Sequence, residues 1–122
     1  MNAPVVIEGI VAHGRKLGRE LGFPTANLPV GDAVAAEDGV YASEAEVGGV
    51  RYRAMSNLGC NPSVGGRERR LETHLFGFDG SLYGRHLRVE LLRKVRDERR
   101  FASVDELRVQ LEKDKETILN LR

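Results

Sequence analysis

The sequence predicts a mainly β domain, an antiparallel barrel with one α-helix packed outside it. Short β-branched and apolar segments recur along most of the 122 residues, and glycine-containing turns separate them. The period changes at Ser103, which forms a capping box with Glu106 and starts a helix expected at about residues 104–119. Because the strands do not alternate with helices, a parallel βαβ sheet is excluded, and closure into a barrel removes exposed sheet edges.

The N-terminal half predicts one strand and one hairpin. Residues 5–12 are β-branched and apolar, and Gly9 interrupts them as an expected kink or bulge. Residues 39–47 and 50–58 flank Gly48-Gly49, which is a strong signal for a two-residue turn. We therefore expect these two segments to pair as antiparallel strands.

The C-terminal half predicts two further strands with loops on either side. Residues 59–70 contain Asn-Pro, Gly-Gly and several charges, which predict a turn-rich connection that moves. Residues 71–78 alternate between apolar and polar side chains, as in a strand with one buried face. Residues 87–92 begin another strand, and the charged run at residues 93–101 follows it.

Composition and length bound the class of protein. The chain is long enough for one compact domain and too short for two, so a single domain over residues 1–122 is expected. The net charge of +1 gives no general attraction to nucleic acid or membranes. No apolar run is long enough to span a membrane, and the N-terminus lacks a signal-peptide pattern. We therefore expect a cytoplasmic protein. A single cysteine, Cys60, excludes an intramolecular disulfide and is expected to be buried.

The most distinctive stretch runs from His13 to Pro29. It contains three glycines, which let the backbone approach a ligand, and three cations, which suit phosphate: Gly14, Gly18 and Gly22, with Arg15, Lys16 and Arg19. The spacing matches neither the P-loop nor the dinucleotide fingerprint. An anion-binding loop and a basic, solvated surface loop are therefore both compatible with this stretch.

Two oxygen-bearing side chains follow the glycine-rich stretch. Pro24 biases its predecessor toward an extended conformation, so Thr25 and Asn27 are expected as alternate residues of a short strand, with both side chains on one face. Hydroxyl and amide oxygens are hard ligands, and Mg²⁺ beside a nucleoside triphosphate often takes only one or two protein ligands. The pair is a candidate magnesium site.

The strand at residues 71–78 places Glu72 and His74 on one face. A carboxylate between two apolar strand residues is either a rim residue paired with an arginine, for which Arg69 and Arg70 are close in sequence, or a general base. His74 could orient Glu72, contact a nucleotide, or be a half-buried strand histidine.

Three motifs resemble the riboflavin kinase (flavokinase) family: Gly-Arg-Glu-Leu-Gly-Phe-Pro-Thr-Ala-Asn at residues 18–27, Leu-Glu-Thr-His-Leu at 71–75 and Leu-Tyr-Gly at 82–84. They occur in the family's order over nearly the whole chain. The resemblance implies a closed six-stranded antiparallel Greek-key β-barrel with the helix outside. It also implies transfer of the ATP γ-phosphate to the ribityl 5′-hydroxyl of riboflavin, giving FMN and ADP, with Mg²⁺ bound beside ATP.

The resemblance further implies a role for individual residues. Glu72 is implied as the general base, and Thr25 and Asn27 as Mg²⁺ ligands. Nucleotide contacts are implied at Gly14, Arg19, Thr25, Leu75, Gly77 and Tyr83, those near Leu75 and Gly77 through the backbone. Flavin contacts are implied at Arg96, Arg99 and Phe101, where the residues alone are also compatible with a solvated loop.

Two other classes of protein are also compatible with the sequence. A flavin-binding module without turnover has the same fold, although the set Thr25, Asn27 and Glu72 disfavours it. A small nucleic-acid-binding barrel could use its arginines on phosphates and Phe76 or Phe78 as stacking platforms, but near-neutral charge and 6% aromatic residues disfavour it. We expect ATP and riboflavin as partners, neither nucleic acid nor membrane, and a separate or lost FAD synthetase module.

Overall fold

A computed structural model of the chain describes residues 4–13, 21–31, 34–63 and 66–121. The described residues form six strands and one helix. The elements are β1 (Val5–Ile10), β2 (Ala26–Pro29), β3 (Gly39–Val47), β4 (Val50–Ser63), β5 (Gly66–Leu75), β6 (His86–Arg96) and α1 (Val104–Leu119).

The six strands form one antiparallel sheet in the order β1-β6-β3-β4-β5-β2. Strands β3, β4 and β5 are consecutive neighbours, and β6 returns beside β3, which is a Greek key. The two ends of the sheet meet where the Ala12 N–H donates to the Asn27 carbonyl at 2.8 Å. The barrel is therefore nearly closed, which confirms the predicted fold class.

The barrel interior is filled by the side chains of alternate strand residues. Leu58, Leu71, Leu87 and Val89 are fully buried there. Three hydroxyls also lie in the interior, where the Ser56 Oγ is 2.8 Å from the Ser43 Oγ and 2.8 Å from the Thr73 Oγ1. Each buried hydroxyl thus has a hydrogen-bond partner, which removes the cost of burying it.

Helix α1 packs against the outside of the barrel, as predicted. Ile118 is 1% exposed and lies against Val40, Ala42 and Met55 on the outer face of β3 and β4. The helix starts at the predicted capping residue, since the Ser103 Oγ accepts a hydrogen bond from the Glu106 N–H at 3.1 Å.

The C-terminus of α1 is capped by a cation from another element. Its last turn contains no basic residue. The Arg53 guanidinium, on β4, donates to the carbonyls of Ile118 at 2.6 Å, Leu119 at 3.2 Å and Leu121 at 3.2 Å. These bonds satisfy carbonyls that the helix leaves unpaired, and the positive charge suits the negative end of its dipole.

A buried ion pair joins the middle of α1 to the end of β6. The Arg96 guanidinium donates to both carboxylate oxygens of Asp114, at 2.8 to 3.1 Å, and Asp114 is only 2% exposed. The Gln110 amide, one turn earlier, also donates to Asp114 at 2.9 Å. The Asp114 carboxylate is therefore paired with one cation and accepts hydrogen bonds from three nitrogens of the protein.

Several expectations are wrong in detail. The pairing of β1 with β6 is continuous through Gly9, so no bulge occurs there. Residues 59–63 and 66–70 belong to strands β4 and β5 rather than to a loop. Backbone pairing between two adjacent strands extends the hairpin without needing an apolar pattern, which is why the polar composition misled. Cys60 lies on this extension and is exposed, not buried.

We expect Asp114→Ala to lower the free energy of unfolding by about 3 kcal/mol, because it leaves the partly buried Arg96 charge without its partner. The matched control is Asp105→Ala, which removes an exposed ion pair with Arg108 in the same helix and should cost less than about 1 kcal/mol. Urea denaturation measures both values. Equal losses in the two variants would contradict the structural role given to Asp114.

Candidate active site

The centre of the candidate site is a row of polar side chains across three strands. Glu72 on β5 lies directly opposite Asn27 on β2 and directly opposite Asn57 on β4. Residues paired in this way point to the same face of a sheet. Their sequence neighbours fill the barrel interior, so the row Asn27–Glu72–Asn57 lies on the outer face.

The carboxamide of Asn27 lies between a carboxylate and a guanidinium. Its nitrogen is 3.5 Å from Glu72 Oε1, and its oxygen is 3.5 Å from Arg70 Nη1. Asn27 is only 2% exposed, so its orientation is fixed by these neighbours. A charged group on each side holds the amide with its oxygen toward the cation.

Thr25 departs from the prediction. It lies one residue before β2 and is exposed, whereas Asn27 is within the strand and buried. The reason is the preceding residue: the Pro24 carbonyl accepts a hydrogen bond from the His74 imidazole Nδ1 at 2.8 Å. This bond to a side chain takes the place of strand pairing, and the strand begins only at Ala26.

His74 is a half-buried strand histidine that supports the approach to β2. Its ring lies between two aromatic rings, with centroids 5.3 Å from Phe23 and 5.4 Å from Phe76. Burial lowers the pKa of His74, the hydrogen bond to Pro24 opposes this shift, and the charge of Lys115 adds to it. The net direction favours the neutral ring, which holds Pro24 next to the candidate magnesium ligands.

Arg69 does not turn toward Glu72. Its guanidinium binds Asp38 at 3.0 Å and the carbonyl of Val34 at 2.9 Å, and it also donates to the carbonyl of Ala36. These contacts hold the segment before β3 in place. Of the two arginines considered as partners of Glu72, Arg69 is therefore excluded.

The residues predicted to contact nucleotide lie in several places. Tyr83 is exposed and its ring stacks on His13, with centroids 3.7 Å apart and planes 19° apart. His13 follows Ala12, the residue bonded to Asn27, so this aromatic pair lies beside the row. The Leu75 side chain fills the core, which leaves only its backbone for a ligand.

Gly77 occupies a turn with a φ of +81°, and the space around its Cα is open. That conformation favours glycine and leaves the peptide accessible. Gly14 and Arg19, which were predicted to contact phosphate, lie outside the described residues.

The three residues predicted to contact flavin come together. The guanidinium carbons of Arg96 and Arg99 lie 5.9 Å and 5.1 Å from the centroid of the Phe101 ring. Residues 93–96 belong to β6, however, so the predicted loop is shorter than expected. The two cations also have partners on α1, Asp114 for Arg96 and Gln110 for Arg99.

Cross-strand neighbours connect the polar row to the flavin cluster, which consists of Arg96, Arg99 and Phe101. Val40 on β3 lies opposite Asn57 on β4 and opposite Arg96 on β6. Neighbouring strands are 4.7–4.9 Å apart, so the path along the curved sheet from Glu72 to Arg96 crosses three spacings, or about 14 Å. The register of four strands thus connects the predicted base to the predicted flavin residues.

Two residues at this face were missed by the sequence interpretation. The oxygen of Asn57 is buried, and no donor in the described part of the chain bonds to it. The Glu98 carboxylate packs on Gly59 and leaves no room for a Cβ there. Burial of that carboxylate is the main cause that raises the pKa of Glu98; Asp38 and Glu72 add to the shift and Arg96 opposes it. Cross-strand register is what reveals Asn57, whereas Glu98 follows β6 and reaches Gly59 through a contact between distant segments.

Nearly the whole chain matches the model of one protein family. The flavokinase model, described as riboflavin kinase, matches residues 1–121. The chain belongs to the riboflavin kinase family. The Glu-Thr-His and Pro-Thr-Ala-Asn motifs that suggested the family are the ones that place Glu72 opposite Asn27.

Relatives in the riboflavin kinase family are longer than this chain. A bifunctional riboflavin kinase/FMN adenylyltransferase from Escherichia coli strain K12 is 45% identical over 115 residues, covering 93% of this chain and 37% of that protein. The RNA-binding riboflavin kinase RibR from Bacillus subtilis strain 168 is 40% identical over 110 residues, covering 89% of this chain and 47% of that relative. The chain thus spans less than half the length of either.

Solved structures share the fold. A chain from Streptococcus pneumoniae described as a macrolide-efflux protein superposes with a TM-score of 0.89 at 40% identity, covering 98% of this chain and 40% of that one. Riboflavin kinase from Trypanosoma brucei superposes with a TM-score of 0.63 at 22% identity, covering 96% and 78% of the two chains. Within the described residues, no helix has the length and apolar character needed to cross a bilayer.

The pH dependence of stability tests the environment of His74. Because the folded-state pKa of His74 is below its ordinary 6.5, the unfolded chain binds protons more readily. This part of the stability is complete above pH 6.5 and is lost as the pH falls through the lower, folded-state value. We expect His74→Gln to flatten the decline in the free energy of unfolding between about pH 7 and 5, relative to the unchanged chain.

The control is His86→Gln, which changes an exposed histidine on β6 and should leave the decline in place. Denaturant titrations at a series of pH values measure all three proteins. Parallel curves for the unchanged chain and His74→Gln would show that His74 is not buried as described.

Proposed function

We propose that this chain transfers the γ-phosphate of ATP to the ribityl 5′-hydroxyl of riboflavin, giving FMN and ADP. The observation that carries the proposal is the row Asn27–Glu72–Asn57, which puts a carboxylate between a candidate metal ligand and the candidate flavin cluster in a member of the riboflavin kinase family. Phosphoryl transfer depends mainly on positioning and charge neutralisation, which such a row can provide.

The direct test is incubation of the chain with riboflavin, ATP and Mg²⁺, followed by chromatography for FMN and ADP. We expect the two products to form in equal amounts and only when all three components are present. Binding of riboflavin by a folded chain without FMN formation would instead identify a flavin-binding module without turnover.

Glu72 is the general base in this proposal. As the 5′-oxygen of riboflavin forms its bond to the γ-phosphorus, the bond from that phosphorus to the bridging oxygen of ADP breaks, and the hydroxyl proton passes to the Glu72 carboxylate. The Asn27 nitrogen lies 3.5 Å from Glu72 Oε1 and restrains the carboxylate on one side. The other side is left for the substrate hydroxyl.

Thr25 and Asn27 are the residues that would hold Mg²⁺ with the nucleotide. Their hydroxyl and amide oxygens fit a hard cation, and the described residues contain no cluster of three or more acidic, histidine or cysteine side chains. Few protein ligands are typical when phosphates and waters supply the rest. When bound, the ion supplies neutralisation of the phosphate charge. The Asn27 oxygen now faces Arg70, a cation placed for the same phosphates.

The two substrates are assigned to opposite ends of the row. The stacked pair Tyr83 and His13 offers an aromatic surface for adenine. At the other end, Phe101 with Arg96 and Arg99 offers an apolar ring and two cations for the isoalloxazine. Glu98 links the two parts of the face, because its carboxylate is affected by the charges of both Glu72 and Arg96.

The contacts of the aromatic and basic residues weigh against a nucleic-acid-binding barrel. Phe78 packs against Tyr52, and Phe76 packs against His74 and under Lys115, so neither ring is a free stacking platform. We therefore assign ATP and riboflavin as partners and no nucleic acid. We further propose that residues 1–122 form a single domain that acts in the cytoplasm.

We expect Glu72→Gln to keep the fold and bind both substrates, but to lower kcat by about 10²- to 10⁴-fold, since glutamine has nearly the same shape and is a far poorer proton acceptor. Steady-state FMN formation measures the change. The matched control is Glu90→Gln, a half-buried glutamate on the outer face of β6, which should keep normal turnover. A near-normal kcat for Glu72→Gln would remove Glu72 from the mechanism.

We expect Asn27→Ala and Thr25→Ala to weaken the apparent affinity for Mg²⁺ at fixed ATP, and to leave riboflavin affinity nearly unchanged. Each substitution removes one oxygen ligand from the nucleotide side of the row. Thr25→Ser keeps the hydroxyl and should restore the affinity for Mg²⁺. Lost flavin binding with an unchanged Mg²⁺ titration would mean that the two ends of the row are assigned in reverse.

A further inference from the structure

Asn57 has an unusual position for a polar side chain. Its carboxamide oxygen is buried, yet no hydrogen-bond donor in the described part of the chain reaches it. Buried polar atoms in folded proteins nearly always have a partner, and an exception calls for an explanation such as a ligand. The missing partner must be a donor, because a carboxamide oxygen only accepts.

The donors diagonally beside Asn57 are directed to other partners. Arg70, opposite Gly59, lies 3.5 Å from the Asn27 oxygen, and His74, opposite Met55, donates to the Pro24 carbonyl.

Across the strands Asn57 faces Val40 on one side and Glu72 on the other, an apolar group and a carboxylate. Two residues further along the same face is Gly59, which has no side chain, and the Glu98 carboxylate rests on it. Ionised carboxylates accept hydrogen bonds and do not donate them. Among the described residues, the directly opposed strand neighbours therefore offer no donor to the Asn57 oxygen, and the diagonal donors do not reach it.

The position relative to Glu72 narrows the chemistry of the donor. Directly opposed residues of an antiparallel pair have Cβ atoms about 4.5–5.5 Å apart. A ligand that places one hydroxyl at Glu72 can therefore reach Asn57 only through a group very close to that hydroxyl. In a ribityl chain the adjacent carbon carries such a group, the 4′-hydroxyl, which is a donor.

We propose that the Asn57 oxygen accepts a hydrogen bond from the 4′-hydroxyl of riboflavin, and so holds the neighbouring 5′-hydroxyl at Glu72. This inference rests on the proposed function. Asn57 is then a substrate-binding residue that recognises a polyol chain rather than the flavin ring. Asn27 and Asn57 act on opposite sides of Glu72, one beside the nucleotide and one beside the acceptor alcohol.

The test combines a change in the protein with a change in the substrate. Asn57→Leu removes the acceptor at similar volume, and 4′-deoxyriboflavin removes the donor. A neutral hydrogen bond has a net value that corresponds to about a 2- to 12-fold effect. We expect either change alone to lower kcat/KM by about tenfold, and both together to cause little further loss, as for two halves of one interaction.

Two controls separate recognition from folding. Asn57→Asp keeps an acceptor oxygen and should still discriminate against 4′-deoxyriboflavin. Met55→Leu, two residues earlier on the same face of β4, is a mild packing change and should also keep the discrimination. The proposal stands if the discrimination disappears only in Asn57→Leu.

Other results overturn the proposal in distinguishable ways. If Asn57→Leu lowers kcat/KM equally for both flavins, its role is structural. If the substitution shifts the apparent Mg²⁺ affinity and not the discrimination, Asn57 belongs to the nucleotide side. If the unchanged chain treats both flavins alike but forms FMN, the inference fails and the proposed function survives. If the unchanged chain forms no FMN, both fail.

Discussion

The register of β5 against its two neighbours is the constraint on which the site depends. Leu71 on β5 pairs with Leu28 on β2 and Leu58 on β4, and all three are at most 1% exposed in the barrel interior. A slip of one residue would turn Glu72 into this core and expose Leu71. The same packing that stabilises the barrel therefore fixes the polar row on its outer face.

The helix is held by electrostatic contacts at both its middle and its end, and this links folding to the flavin side. Arg96 is the last residue of β6, the partner of the buried Asp114, and a neighbour of the Phe101 ring. Because Asp114 holds its guanidinium, Arg96 would present its cation to the flavin in a fixed orientation. Arg53 holds the C-terminal end of α1.

Local signals in the sequence predicted the local features well. Gly48-Gly49 gave the hairpin because both residues need positive φ, observed at +58° and +78°. The family motifs singled out Glu72 and Asn27, which the structure places opposite each other, and strand alternation placed Glu72 on the face opposite to Leu71. Cross-strand neighbours could not be predicted, because register depends on contacts between distant segments. For this reason the strand extension at residues 59–70, the position of Thr25 and the buried oxygen of Asn57 all escaped the sequence interpretation.

The most direct test of the account is a crystal structure of the chain with riboflavin, Mg²⁺ and a non-hydrolysable ATP analogue. We expect a ribityl 5′-oxygen within about 3 Å of the Glu72 carboxylate, at hydrogen-bond distance, with the γ-phosphate analogue on the Asn27 side and the flavin ring toward Phe101. A 5′-oxygen beyond the reach of Glu72, or a flavin ring bound on the Tyr83 side, would contradict it.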